Sequence, residues 1–427
     1  MKEKIKVGYI GLGRRGTGML RYCVAEMKDV EVKYICDLNE KKIEKTLEYL
    51  AEMNYPTTPK TTTDYKEILS DDELDAVFIM TSWNSRVKLA IDAMKAGKYA
   101  AIEVGCAFDL SECYELVKTY EETKVPVMML ENCCYGRDEM MTLRMIKEGL
   151  FGEIIQANGA YHHYLNDVEF FPKDADGNVK TDHYRLAEYL NRNCDNYPTH
   201  ELGPISKCLN INRGNRMLSL TAFSSKARGI ETYMKDHVPE DHPFTGMRFN
   251  QGDIITTIIR CANGEIIHLT LDTTLPRAFY SREFTIRGTK GMCEESGMGK
   301  HTYFLEGMEE NKHFDNKEEF YEKYDHPLHK EYVESGAKGG HGGIDWLVLR
   351  AFVESVKNGT NTPIDVYDTA VWLAIGPLSG MSIANGSTAV AVPDFTNGRW
   401  FRREEPNTGK YSLDVIVTDP DTPIDPV

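Results

Sequence analysis

The amino-acid sequence predicts an α/β region with a doubly wound parallel sheet, followed by an α+β region with an open, mostly antiparallel sheet. Up to about residue 150, short apolar runs alternate with helical stretches, as in parallel strands joined by crossover helices. From 151 to about 300 the runs are longer and alternate between apolar and polar residues, which indicates strands with one buried face. Asn263-Gly264 lies between two such runs and is a strong hairpin signal.

The elements of the first region follow from apolar runs of strand length and from helical stretches such as the one that stops at Gly97. Strands are predicted at 5–12, 30–37, 75–81, 99–104 and 125–131. Helices are predicted at 17–27, 39–53, 86–97 and 111–124. This alternation predicts a nucleotide-binding domain over residues 1–150.

The second region is predicted to be a substrate and oligomerisation domain over residues 151–403. Its strands are expected in 154–164, 217–225, 253–275 and 282–295, and helices near 343–358 and 367–385. The charged and aromatic stretch 301–340 predicts excursion loops, and the tail 404–427, rich in Pro, Asp and Thr, predicts a surface segment.

Composition narrows the possible partners and the compartment. A net charge of −16 over 427 residues argues against nucleic acid and anionic membranes as partners. The sequence has no apolar run of about 18 residues, which a membrane span requires. The start of the chain does not resemble a signal peptide, and the ten cysteines are scattered without a C-x-x-C pair, so we expect reduced thiols and a cytoplasmic location.

The most specific local motif is a glycine turn, Gly11-Leu12-Gly13-Arg14-Arg15-Gly16, which follows a strand and opens a helix. Asp37 ends the next strand, and together these features form the Rossmann fingerprint for a dinucleotide. The glycines let the backbone and the helix N-terminus approach the pyrophosphate. Asp37 favours NAD over NADP because it repels a 2′-phosphate, whereas Arg14 and Arg15 offer phosphate contacts. A glycine turn without a nucleotide is the structural alternative.

The stretch "AMKAGKYAAIEV" (93–104) and the order of the domains resemble the Gfo/Idh/MocA family of sugar oxidoreductases. That family usually has Glu-Lys-Pro where this chain has Glu103-Val104-Gly105, and its lysine helps to move the proton of the alcohol being oxidised. The missing lysine implies either an inactive protein or proton transfer by other residues.

Other stretches resemble one branch of that family, glycoside hydrolase family 109, the NAD-dependent α-N-acetylgalactosaminidases. The most specific are "ENCCYGR" (131–137) and "YPTH" (197–200), and the similarity extends over nearly the whole chain. The branch also has Glu-Val in place of Glu-Lys, so Val104 fits it. Further matching stretches are "GAYHHY" (159–164), "NINRG" (210–214), "YSREFTIRGTKG" (280–291) and "VPDFTNGRW" (392–400).

The resemblance and the glycine fingerprint together predict the site residues. The cofactor contacts are expected at Gly11, Gly13, Arg14, Arg15, Gly16, Asp37, Trp83, Asn84, Arg86, Glu103, Val104 and Asn132. The sugar contacts are expected at Arg185, Tyr197, Pro198, Thr199, His200 and Tyr280, and the catalytic residues are expected to be His200, Tyr161 and Glu131. Arg86 stands where the wider family has histidine.

Each catalytic candidate also has a structural interpretation. His200 has the side chain whose ordinary pKa suits proton transfer at neutral pH, but a single loop histidine is often only a hydrogen-bonding partner. Tyr161 lies in an alternating strand and could simply pack in a sheet. Glu131 ends a parallel strand at the edge where ligands bind. Neither the carboxylates nor the histidines (His162, His163, His183 and His341) show a compact metal-ligand spacing, so we expect no metal.

The sequence contains no convincing pair of carboxylates for a conventional glycosidase. The resemblance implies a redox route instead, with oxidation at sugar C3, loss of the C2 proton, elimination at C1, addition of water and re-reduction by an NAD that stays bound. It assigns the C3 hydroxyl to His200, the C2 proton to Tyr161 and a supporting role to Glu131. The expected partner is a small glycoside, and the open sheet predicts a homo-oligomer. The alternatives are a sugar dehydrogenase that releases NADH and a non-catalytic sensor of NAD or sugar.

Overall fold

The computed structural model describes residues 2–174, 176–180, 184–336, 339–403, 407 and 409–417. The first part of the chain forms a six-stranded parallel sheet. Its strands are β1 Ile5–Ile10, β2 Val30–Cys36, β3 Lys60–Thr62, β4 Ala76–Ile79, β5 Tyr99–Ile102 and β6 Val127–Met129. They run in the order β3-β2-β1-β4-β5-β6. The helices between them are α1 Arg14–Tyr22, α2 Glu40–Glu52, α3 Tyr65–Leu69, α4 Trp83–Lys95 and α5 Leu110–Thr123.

The strand order reverses between β1 and β4, which places the glycine turn at the crevice where such sheets bind ligands. Strands β1, β4, β5 and β6 are almost entirely buried because helices cover both faces, and this explains their unbroken apolar runs. The predicted doubly wound sheet is confirmed. β3 was not predicted, since this short edge strand has exposed, polar residues.

The second sheet has eight strands in the order β13-β12-β11-β7-β10-β9-β8-β14. They are β7 Ile154–His162, β8 Met217–Ser224, β9 Ile254–Cys261, β10 Ile266–Asp272, β11 Thr285–Gly288, β12 Gly291–Gly297, β13 Lys300–Leu305 and β14 Val390–Ala391. Among these described strands, β7 pairs with β10 in parallel and the other neighbours are antiparallel. The open, mostly antiparallel sheet is therefore confirmed, and β9 and β10 form the hairpin around Asn263 and Gly264 (φ +104°).

Helices accompany the second sheet. They are α6 Arg137–Lys147, α7 Tyr184–Asn191, α8 Thr199–Cys208, α9 Gly229–His237, α10 Lys317–Tyr324, α11 Pro327–Glu334, α12 Ile344–Asn358 and α13 Val366–Ala384. The two helices expected near 343–358 and 367–385 are confirmed. The expectation of loops over 301–340 is wrong, because this stretch holds β13, α10 and α11. The inner faces of α10 and α11 are buried through Phe320, Leu328 and Tyr332. The many charged residues between these positions made the pattern hard to recognise in the sequence.

The long helix α13 joins the two regions, packing against α5 and β6 on one side and against β8 and α8 on the other. The division at residue 150 stays a prediction. The expected surface tail lies largely outside the described residues. Its described segment 409–417 packs inward, since Leu413 is buried and Asp414 pairs with Arg213. Among the residues that the structure describes, none of the helices combines the length and apolar content that a membrane crossing needs.

Candidate active site

The glycine turn has the shape that a pyrophosphate requires. Gly11 has φ +97°, and a Cβ there would lie 2.6 Å from the Met80 carbonyl oxygen. A Cβ on Gly16 would lie 2.2 Å from the Gly11 carbonyl oxygen, so this position keeps helix α1 close to β1. A Cβ added to Gly13, in contrast, would have no described atom within 4 Å, so there is open space beside the N-terminus of helix α1. The turn therefore fits a dinucleotide phosphate.

Two further features fit the nucleoside parts of NAD. Asp37 is held by the backbone, since its Oδ2 accepts the Leu12 N–H at 2.7 Å and its Oδ1 accepts the Asn39 N–H at 2.9 Å. This places a carboxylate where the ribose hydroxyls are expected. Trp83 is buried, and its indole nitrogen finds no hydrogen-bond partner among the described residues. Asn84, next in the chain, accepts a hydrogen bond from the Ser82 hydroxyl at 2.7 Å.

The three predicted cofactor-binding arginines already have protein partners. Arg15 binds Asp345 with both terminal nitrogens, at 2.7 and 2.8 Å, and Arg14 pairs with Glu169. Arg86 is buried and donates to the backbone carbonyls of residues 103 and 104. These arginines link separate parts of the protein around the site. Their direct contact with a cofactor stays a prediction.

The glycine turn, Asp37 and the residues around Arg15 form what we call the cofactor side of the site. Asp345, which the sequence analysis did not predict, links residues on this side. Besides Arg15, it accepts a hydrogen bond from the Asn132 side chain at 2.7 Å and lies 2.7 Å from Nδ1 of His341. Burial raises the pKa of Asp345, but the hydrogen bonds and charges of His341 and Arg15 lower it overall, well below its usual range. Glu103 joins the group through Arg15 at 3.1 Å. Asp345 follows Gly342-Gly343 at the start of α12, 213 positions after Asn132, so no local motif linked them.

The other side of the site, which we call the sugar side, contains the "YPTH" segment (197–200) with Glu131, Tyr161, Arg185 and Tyr280. His200 was predicted to be a loop residue, but α8 begins within this segment, with Pro198 at the N-cap and His200 in the first turn. His200 Nδ1 lies 2.8 Å from Oε1 of Glu131 and its Nε2 lies 3.4 Å from the Tyr197 hydroxyl. Burial raises the pKa of Glu131, but the charge and hydrogen bond of His200 lower it overall. The pair is therefore a carboxylate that orients an imidazole, an arrangement suited to proton transfer.

Aromatic rings surround this pair. The Tyr161 ring lies 4.4 Å from the Tyr197 ring and 5.6 Å from the His200 ring, measured between centroids. Tyr280 is 6.2 Å from Tyr161, and the Arg185 guanidinium stacks over Tyr197 at 4.9 Å. The sequence-predicted sugar contacts are thus brought together, although they come from β7, α7, α8 and the segment before β11.

Some polar atoms in this region are buried and have no hydrogen-bond partner within the described chain. They include the Trp83 indole nitrogen. Oε2 of Glu131 and Oγ1 of Thr199 adjoin each other instead, and a hydrogen bond from the Thr199 side chain helps to lower the pKa of Glu131. Buried polar atoms in native proteins are normally satisfied, so the Trp83 N–H is available as a donor to a bound molecule. Val104, by contrast, is buried and apolar, at the place where the wider family has its lysine.

The tertiary structure also forms a group that the sequence spacing did not show. One ligand atom each from Glu131, Cys133 and His200 lies within 4.8 Å of the others. Glu131 and His200 hydrogen-bond each other, and burial raises the pKa of the Cys133 thiol far above its ordinary value. Because a metal needs the thiolate and free ligand atoms, we interpret the group as part of the proton-transfer site. The absence of a metal stays a prediction.

The fold and the cofactor side define the class: an NAD-binding Rossmann domain joined to an open-sheet domain, as in Gfo/Idh/MocA oxidoreductases. Residues 5–131 match the model of the oxidoreductase family with an NAD-binding Rossmann fold, and residues 135–402 match the C-terminal domain of glycosyl hydrolase 109. The chain belongs to glycosyl hydrolase family 109 and is an NAD-dependent glycosidase.

Individual relatives agree with this assignment. The chain is 39% identical to an alpha-N-acetylgalactosaminidase of Tannerella forsythia, over 94% of this chain and 88% of the relative. It is 37% identical to a glycosyl hydrolase family 109 protein of Parabacteroides distasonis, over 94% and 89%. Among solved structures, levoglucosan dehydrogenase in complex with NADH superposes with a TM-score of 0.66 at 18% identity, covering 92% of this chain and all (100%) of the dehydrogenase, which shows the shared fold.

Proposed function

We propose that the protein is an α-N-acetylgalactosaminidase that acts through transient oxidation of its substrate and keeps its NAD between turnovers. The observation that carries this proposal is the placement of Tyr161 and of the His200–Glu131 pair around one cleft. The identity to the Tannerella enzyme supports the choice of sugar. The support for NAD comes from the glycine turn and from Asp37.

Bound NAD supplies the oxidation of sugar C3 at the start of the cycle and its reduction at the end. His200, oriented by Glu131, takes the proton of the C3 hydroxyl and later returns it. The C3 ketone makes the C2 proton acidic, and Tyr161 removes it as the substituent at C1 leaves. The departing C1 oxygen takes up one proton from solvent, water then adds its oxygen to C1 and releases one proton, and Tyr161 gives a proton back to C2. Arg185, Tyr197 and Tyr280 bind the sugar, with Pro198 and Thr199 placing the helix end beside it.

The cofactor side supports retention of NAD. Arg15, Glu103, Asp345 and Asn132 link the glycine turn, β5, β6 and α12 through hydrogen bonds and ion pairs. A nucleotide bound against this linked group would leave only after several contacts had broken. We therefore propose that NAD co-purifies with the protein and is recycled; denaturing the pure protein and analysing the supernatant tests this, and finding NADP contradicts it.

The outer face of the second sheet supports a homo-oligomer. Phe223, Ile258 and Ile266 are exposed there, in neighbouring strands. Large exposed apolar side chains on neighbouring strands of one sheet face are a feature that a protein interface would cover. The ten cysteines are all free and buried, which supports a reducing, cytoplasmic environment. Light scattering of the wild type and of Ile258→Glu tests the oligomer, and equal masses near that of one chain contradict it.

The deciding experiment uses an aryl α-N-acetylgalactosaminide. The proposed hydrolase releases the phenol without added NAD, a dehydrogenase accumulates NADH only with added NAD, and a sensor does neither. Hydrolysis in D₂O should give product deuterated at C2, because that proton leaves the sugar and returns from solvent. Product that keeps its full C2 proton contradicts the redox route, since a two-carboxylate glycosidase leaves that bond untouched.

A further inference from the structure

Tyr161 has a chemical problem as a base. Its phenol must be ionised to take the C2 proton, yet the side chain is only 5% exposed, and burial raises the pKa of its hydroxyl overall. Arg185 lowers this pKa through its charge and a hydrogen bond, but not enough to offset burial. A second group that stabilises the phenolate is therefore needed.

His163 is in the right place. Its Nδ1 lies 3.0 Å from the Tyr161 hydroxyl, within hydrogen-bond distance. Side chains two positions apart on an extended strand share a face, which brings both to the cleft, whereas His162 faces the other way and lies 3.1 Å from Glu283. The backbone N–H of His163 donates to the Asp272 carbonyl at 3.0 Å, which fixes the ring's attachment point. The His163 ring also packs edge-on against Tyr280 at 5.2 Å.

The charge state of His163 is set by its surroundings. Burial is the largest cause and Arg185 acts in the same direction, and together with the other groups they lower the pKa of His163 to about 4. The other charged groups that act on the ring are Glu169, which raises the pKa, and His200 and Arg14, which lower it. The imidazole is therefore neutral at neutral pH, with one N–H and one free lone pair.

We propose that His163 is a positioning residue that holds Tyr161 in its ionised form. When the pair loses one proton to water, the neutral imidazole keeps its proton on Nδ1 and donates it to the phenolate oxygen. The phenolate then takes the C2 proton and becomes a phenol, whose proton exchanges with solvent before one returns to C2 after water has added. This role rests on the proposed function, since it concerns the step that Tyr161 performs there.

The test compares His163→Leu, His163→Asn and the matched control His162→Asn, which removes an imidazole from the opposite face of the same chain segment. The asparagine amide at position 163 keeps a donor near the place of Nδ1 but has no basic nitrogen. Loss of the hydrogen bond to the charged phenolate should raise the pKa of Tyr161. We therefore expect His163→Leu to move the acidic limb of the pH–rate profile up by about 1–2 pH units. His163→Asn should stay within about threefold of the wild type, as should the control.

Two readouts separate this role from a structural one. On mixing with substrate, His163→Leu should still show reduced NAD at 340 nm, because oxidation at C3 precedes the affected step, while deuterium incorporation at C2 should fall at least about tenfold at pH 7. The part of the tyrosinate absorbance that disappears in Tyr161→Phe belongs to Tyr161. Without substrate, this absorbance should appear at a higher pH in His163→Leu than in the wild type.

The outcomes are distinguishable. Wild-type product without C2 deuterium overturns the proposed function, and the role of His163 with it. Wild-type exchange that persists unchanged in His163→Leu overturns only the role of His163. If His163→Asn is as slow as His163→Leu while the control is normal, the imidazole acts as a base and the donor role is wrong.

Discussion

The two sides of the cleft are built differently. On the cofactor side, Arg15, Asp345 and Asn132 satisfy one another through ion pairs and hydrogen bonds. On the sugar side, aromatic rings pack at centroid distances of 4.4–6.2 Å around the hydrogen-bonded Glu131–His200 pair. We therefore expect the first side, where ion pairs link separate elements, to retain its ligand, and the second side, where rings surround one acid–base pair, to exchange its ligand at each turnover.

The largest effect should come from the sugar side. His200→Ala removes the proposed acceptor of the C3 proton, so turnover should fall by about 10³-fold, as expected for loss of a general acid–base group. The variant should also show no reduced NAD at 340 nm after substrate is added, while NAD still co-purifies. A transient of normal size would assign the C3 proton to another residue.

The cofactor side should respond differently. Asp345→Asn removes the charge that binds Arg15, so we expect a loss of about 2–3 kcal/mol in the free energy of unfolding and faster loss of NAD during gel filtration. Asp29→Asn is the matched control, because Asp29 pairs with Arg350 of α12 at 2.7 Å and with Lys357 near the end of that helix, away from Asp345. If both variants keep NAD equally well, the linked group does not retain the cofactor.

A smaller effect should come from a buried acid behind the sugar side. Burial raises the pKa of Asp195 to about 7, and its Oδ1 has no partner among the described residues, although Oδ2 accepts the Thr257 hydroxyl at 3.0 Å. The folded-state pKa of Asp195 is raised above its unfolded value of about 4. The carboxyl group therefore contributes to stability below pH 4, and this contribution is lost as pH rises through 7.

Asp195→Asn should therefore stabilise the protein on the order of 2 kcal/mol at pH 8 and by little at pH 4. Urea unfolding at the two pH values measures the difference. A variant that is equally destabilised at both would show that the carboxyl group contributes through its hydrogen bond alone.

The smallest expected effect is that of a chelator. If the group of Glu131, Cys133 and His200 holds no metal, dialysis against EDTA leaves hydrolysis unchanged. Activity that falls on dialysis and returns with Zn²⁺ would make these three residues a metal site and would change the interpretation of the sugar side.

Much of the architecture could be predicted from local patterns. Alternating apolar runs and helices indicated the parallel sheet, and Asn263-Gly264 indicated a hairpin, because turns and buried strands are determined over a few residues. Residues 301–340 were misjudged, since α10 and α11 bury one face among many charged side chains. The start of helix α8 was not predicted, because a proline followed by a threonine occurs in loops as well as at helix starts.

The sequence by itself determined the glycine turn with Asp37, since a short motif carries both, whereas the residues of the sugar side were predicted from the resemblance to family 109. Only the tertiary structure decided which groups these residues meet. Asp345 reaches Arg15 across 330 positions, and Glu131 reaches His200 across 69. Such pairs form where separate strands and helices end at one edge of a sheet, and no spacing along the chain encodes that meeting. The same holds for charge: burial, which only the folded chain creates, keeps the His163 imidazole neutral beside Tyr161.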